Sequence, residues 1–187
     1  MITKFSQWLL KISTGPLVLA CLVLFLVFSA LVLPDQLAKA EVYSSDVGSP
    51  DLSLYYTAAD LYRMAEAYGP TGRTAYIRAR FTFDLVFPLV YGAFLVTAIS
   101  FLVKKASLGW QTWGQMNLLP IAGVVFDFLE NGSAAIVMAR YPQFTAVLDH
   151  LAGVFTLIKW LFNAASYVAL VILVIIVLVR RLRLKTS

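Results

Sequence analysis

The sequence predicts an all-α protein: a four-transmembrane-helix bundle with a short helical hairpin on its outer face. Three observations carry this. Apolar residues make up 60% of the chain and charged residues 13%, with a mean hydropathy of +0.81, whereas a soluble domain is about half apolar and about a quarter charged. Four runs, 16–33, 81–103, 117–139 and 151–179, approach or exceed the roughly 20 residues that a helix needs to cross hydrocarbon. In lipid a backbone must satisfy its own hydrogen bonds, so these runs are helices and not open strands. One membrane domain covering 1–187 is expected.

The first run follows Lys4 and Lys11 and is followed by Ala38-Lys39-Ala40, a small-x-small pattern like a signal cleavage site. The run is 18 residues long, beyond the h-region of about 7–15 found in signal peptides, so a retained helix is expected. It carries no polar stripe, which places it facing lipid. The stretch Pro34–Asp51 mixes small and polar residues and is expected to be irregular. A hairpin over about 53–80 follows. Thr57-Ala-Ala-Asp60 has the form of a capping box, Leu61, Met64, Ala65 and Tyr68 recur at helical spacing, and Gly69-Pro70 stops the helix. A second helix is expected from near Thr71 without a break into the second span. Six of the nine tyrosines (Tyr43, Tyr55, Tyr56, Tyr62, Tyr68 and Tyr76) fall between the first two spans. They suit either anchoring in the headgroup layer or a lid over a site below. Lys104 to Trp113 reads as a loop with Trp110 and Trp113 in an aromatic belt.

Charge sets the orientation. Lys4, Lys11, Lys104, Lys105 and the tail from Arg180 to Lys185 flank one side of the predicted spans, and the connection between the third and fourth carries only Arg140. That is the positive-inside pattern for a cell (inner) membrane protein with both termini cytoplasmic. The basic tail suits anionic headgroups, so membrane lipids and not nucleic acid are the expected partners. The single cysteine, Cys21, rules out an internal disulfide and a thiol redox relay. The single histidine, His150, rules out a bis-histidine haem, and no His/Cys zinc set exists. No cofactor and no metal are expected.

Four charged residues, Asp84, Asp127, Glu130 and Lys159, lie inside the spans. A charge at mid-bilayer costs roughly 2.5–3.5 kcal/mol on insertion scales, so such residues face an interior and mark function. Arg73, Tyr76, Arg80, Asp84, Pro88 and Tyr91 share one face of the second helix, with Arg80 and Asp84 one turn apart. Asp127, Glu130 and Asn131 share a face of the third. Thr156, Lys159, Asn163 and Ser166 share a face of the fourth. At a rise of about 1.5 Å per residue, Asp127 is roughly 15 Å and Lys159 roughly 12 Å from the nearer predicted span end. The stripes are therefore expected to meet in the outer half of the bilayer. Three carboxylates against one lysine leave excess negative charge if all are ionised, so either one acid is protonated, or an arginine of the stripe, Arg80 before Arg73, reaches in, or the cavity is wet.

The pattern Gly72-Arg73-x-x-Tyr76, Asp84, Pro88, Tyr91, then Phe126-Asp127-x-x-Glu130-Asn131, then Thr156-x-x-Lys159 resembles an uncharacterised group of bacterial four-helix integral membrane proteins. The resemblance covers about 55–163. It implies the topology and the choice of residues, and no activity. At the level of fold alone the chain is also similar to the emopamil-binding/sigma-2 receptor superfamily, whose buried acids face a lipophilic cationic ligand or a sterol intermediate.

The leading expectation is a buried polar pocket, open to the outer leaflet, that binds a lipid-like or small amphipathic ligand. Arg73, Tyr76, Arg80, Asp84, Tyr91, Asp127, Glu130, Asn131, Thr156, Lys159 and Asn163 would line it. Asp127 and Glu130 would be its cation-binding or acid/base carboxylates, Lys159 would hold one of them ionised, and Arg73 and Arg80 would take a headgroup anion. Whether a reaction is catalysed stays open, with Asp127, Glu130 and Lys159 as the catalytic candidates. Two alternatives stand beside it. The charges can be interhelical polar glue in an accessory subunit of a larger membrane complex. A proton or ion path is the third, although Asn117, Thr97 and Ser100 make a poor relay on the cytoplasmic side.

Overall fold

A computed structural model describes residues 2–44, 47–109 and 113–186, the last three without side chains. Trp110 of the expected belt and the Lys185 side chain lie outside the described residues. The fold is all-α, with no strand among the described residues. In order, the helices are α1 (Ile2–Ile12), α2 (Gly15–Val27), α3 (Leu33–Ser44), α4 (Ala58–Ala67), α5 (Gly69–Arg80), α6 (Phe83–Lys105), α7 (Leu119–Arg140) and α8 (Leu148–Thr186). Four helical stretches, Gly15–Ser44, Gly69–Lys105, Gly114–Arg140 and Leu148–Arg183, are long and apolar enough to cross a membrane. This is a multi-pass membrane protein.

Two stretches depart from expectation. Pro34 does not end the first span, because Phe28–Val32 forms a π-helical turn in which the Leu33 amide bonds back to the Phe28 carbonyl. A wider turn accommodates the proline ring, which would otherwise collide with the carbonyl four residues earlier. The stretch expected to be irregular is therefore helical as far as Ser44, with Lys39 paired to Asp35 one turn away (2.6 Å). The second span, by contrast, is interrupted. At Phe81–Thr82 the Thr82 hydroxyl donates to the Arg78 carbonyl (2.8 Å) and its amide bonds Ala79, three residues back. A side chain competing for the helix's own acceptor loosens the ladder there.

The chain forms two compact units. The first comprises Met1–Leu26, Val90–Gly123 and Leu161–Ser187. Its core is Ile99, Val103, Ala169 and Leu173, with Leu10, Trp113 and Met116 packed against it. Its polar ties are internal: Ser6, Ser100 and Asn117 hydrogen-bond together, and Lys104 donates to the Ser13 carbonyl. Tyr91 and Asn163 also belong to it and meet at 3.5 Å, while Gly123 leaves the space that the Asn163 amide occupies.

The second unit comprises Val27–Leu89 and Val124–Trp160. Its core joins Tyr56, Leu61, Met64, Ala65, Tyr68 and Tyr76 to Ala134, Val137, Met138 and Ala152. The helix α4 starts on a complete capping box: the Thr57 hydroxyl accepts from the Asp60 amide (3.2 Å) and the Asp60 carboxylate from the Thr57 amide (3.0 Å). Those bonds hold the Asp60 carboxyl below its usual range. Gly69, at φ +61°, reverses the chain into α5, with Pro70 next. Gly72 lets Tyr43 approach, since a Cβ there would lie 2.8 Å from Tyr43 Cβ. Tyr56, Tyr68 and Tyr76 are buried in this core, and burial raises the Tyr68 hydroxyl to about 12 as it donates to the Gly48 carbonyl (2.7 Å).

Candidate functional site

The buried charges of the second unit form two ion clusters. In the first, Arg80 at the end of α5 is 5% exposed and reaches Asp84 in the first turn of α6 (2.8 Å). Its other terminal nitrogen, Nη1, contacts Asp51, presented by the short 3-10 turn Pro50–Leu52, and donates to the Asn131 amide oxygen (3.3 Å). The guanidinium lies over the Tyr76 ring, 4.5 Å from its centroid. In the second cluster, Lys159 of α8 contacts Glu130 of α7 and stands 3.4 Å from Asp127. Lys159 is 5% exposed and Glu130 has no exposed surface.

Asn131 joins the two. Its amide oxygen accepts from Arg80 while its amide nitrogen donates to Asp127 (3.4 Å). Of the uncharged side chains of this length, an amide carries the required acceptor and donor at one end. The one-turn spacing of Asp127 and Asn131 thus makes a single network out of two ion pairs. Arg80 and Lys159 there face Asp51, Asp84, Asp127 and Glu130, so cations are outnumbered by carboxylates.

Tyr56 closes the network from the loop before α4. Its hydroxyl donates to Glu130 (3.4 Å) beside Thr156, and burial next to the Glu130 charge raises its pKa well above the usual tyrosine value. The phenol therefore remains a donor at any ordinary pH. Gly153 makes this placement possible: the Tyr56 carbonyl oxygen occupies the position a Cβ would need. One turn or two further on, the Trp160 indole donates to the Ser53 carbonyl (2.9 Å) and pins the same segment to α8. Tyr76 is fully buried, and its hydroxyl has no hydrogen-bond partner among the described residues.

The structure brings together Tyr76, Arg80, Asp84, Asp127, Glu130, Asn131, Thr156 and Lys159 of the residues expected from sequence. Arg73 is engaged elsewhere in the same unit, donating to the Ala65 carbonyl (2.8 Å) and lying over the Tyr141 ring (4.8 Å). Tyr91 and Asn163 belong to the first unit. Asp51 and Tyr56 were not anticipated as site residues. No group of three or more His, Cys, Asp or Glu among the described residues is placed to hold a metal ion.

Comparison with protein-family models, with curated proteins and with solved structures yields no match to this chain.

Proposed function

We propose that the network binds the cationic end of an amphipathic molecule that enters from the membrane. The observation that carries this reading is the excess of carboxylates over cations around Asn131, in side chains that are largely buried. Uncompensated negative charge in a low-dielectric interior is costly, and an ammonium headgroup would offset it. An anionic headgroup fits less well, because the Arg80 fork is already taken by Asp51, Asp84 and Asn131, and Arg73 is held by Ala65 and Tyr141. The buried Tyr76 hydroxyl offers an oxygen lone pair not used within the chain's described residues. With the positive-inside distribution, the reading places both termini in the cytoplasm of a cell (inner) membrane protein and the α4–α5 hairpin on the outer side.

A second reading rests on a specific observation as well: Glu130 and Lys159 are in contact, and so are Arg80 and Asp84. Paired charges of this kind hold helices in register in an accessory subunit of a larger membrane complex. Native mass spectrometry of the gently solubilised protein, loaded with a long-chain alkylamine, separates the two. Retention of the amine by wild type and its loss from a folded Asp127→Asn variant support the ligand site. Failure of wild type to retain it, together with unfolding of Asp127→Asn plus Glu130→Gln, supports polar glue.

A further inference from the structure

We infer that α1 is an in-plane membrane helix which, with the other cations of the first unit, forms a binding surface for anionic phospholipid headgroups. This stands apart from the network around Asn131, which lies in the second unit. Acidic and basic residues divide unequally along the chain. All ten Asp and Glu residues fall within the second unit's ranges. The first unit has Lys4 and Lys11, Lys104 and Lys105, and four cations from Arg180 to Lys185, and no Asp or Glu in its sequence. Such a surface has its complement in phosphate.

The faces of α1 give this charge a bilayer setting. Ser6 and Leu9 are buried and Ser13 follows on the same face. There the Ser6 hydroxyl bonds the Gly114 carbonyl (2.9 Å) and the Asn117 amide (2.5 Å), and Lys104 donates to the Ser13 carbonyl (2.6 Å). A second face exposes Phe5, Trp8 and Ile12. Phe5 and Trp8 stack at 5.9 Å between ring centroids and make a flat apolar blade. At 100° per residue, Lys4 and Lys11 share a third face beside that blade. A helix fixed on one side, apolar on the next and cationic on the third suits the boundary between acyl chains and headgroups. Only Ser13 and Thr14 separate it from the membrane-spanning stretch that begins at Gly15. The partner is thus a lipid surface, with tryptophan at the headgroup level and lysines against phosphate.

The test uses the full chain in two readouts. A nitroxide is placed at Phe5→Cys in a Cys21→Ser background, which leaves no other thiol, and the protein is reconstituted into phosphatidylglycerol/phosphatidylcholine vesicles. Broadening of the spectrum by oxygen and not by a water-soluble nickel chelate is expected. Broadening mainly by the chelate overturns the in-plane placement. Separately, native mass spectrometry from detergent with equal amounts of the two lipids is expected to show preferential retention of phosphatidylglycerol. Lys4→Gln plus Lys11→Gln should reduce that preference, at low salt, by about fivefold for each lysine. A preference absent from wild type, or unchanged in a double variant with the same unfolding midpoint, overturns the anionic-lipid assignment.

Discussion

Replacing Lys159 with methionine removes the ammonium that stands between Glu130 and Asp127 while keeping much of the side chain's volume. Glu130 has no exposed surface and Lys159 is 5% exposed, so solvent does little to soften the loss. Breaking a buried pair by removing one partner costs about 3–5 kcal/mol, because the remaining charge is left uncompensated. Removing both charges, as Lys159→Met with Glu130→Gln, should restore most of that, since the glutamine amide still accepts from Tyr56. The coupling in the double-mutant cycle should therefore be about 2 kcal/mol or more, roughly a thirtyfold effect on the unfolding equilibrium. Reversible unfolding in a mixed micelle of increasing sodium dodecyl sulfate fraction, followed by circular dichroism, measures it. A cost for Lys159→Met below about 1 kcal/mol, the value of a solvated surface pair, would refute the claim that these charges are buried together.

Three further outcomes are expected. Gly153→Ala should displace the segment that carries Tyr56, since the new methyl meets the Tyr56 carbonyl; a destabilisation of about 1–3 kcal/mol is expected in the same unfolding assay. Asn131→Leu should uncouple the two ion clusters: cycles between Arg80→Gln and Asp127→Asn should show less non-additivity in the leucine background than in wild type. Thr57→Ala should fray the start of α4 at a cost of about 1 kcal/mol. Because Asp60 is held below its unfolded value by Thr57, its share is present above about pH 4 and is lost as pH falls through the lower folded value. Amide exchange at the start of α4, compared at low and neutral pH after correction for intrinsic rates, reads this directly.

The apolar runs were legible because the bilayer imposes length and composition on any span, and all four have their helix. The capping box was legible because its two bonds depend on residues three apart in the sequence, whatever else surrounds them. The missing pieces have physical reasons. The sequence of α1 is too short and too mixed to register as a span, and its buried face is defined by Asn117 and Gly114, far along the chain. The small and polar composition after Leu33 argued for irregular chain, whereas the π turn over Phe28–Val32 carries the helix past Pro34. Tyr56 reaches Glu130 through a close backbone approach at Gly153, and Asp51 reaches Arg80 from a 3-10 turn. Neither placement has a helical period to announce it. Residues already inside helices, such as Asp84, Asp127, Glu130 and Lys159, were found because charge there is conspicuous.

That difference bears on what the network is for. Counted from the spans alone, three carboxylates faced one lysine, and Arg80 was expected to make up part of the difference. Arg80 does reach Asp84, yet it brings Asp51 with it, so the arginine adds one positive charge and its loop partner adds a negative one. Polar glue would be cheapest at charge balance, where each buried ion has an opposite partner and no excess remains. The chain instead gathers carboxylates from the 3-10 turn, α6 and α7 around two cations, and links them through an amide that accepts from one cluster and donates to the other. Carboxylates that outnumber their cations, beside a buried Tyr76 hydroxyl with no hydrogen-bond partner among the described residues, are what favour the proposed cationic ligand. This is the physical ground for preferring a cationic ligand over architecture alone.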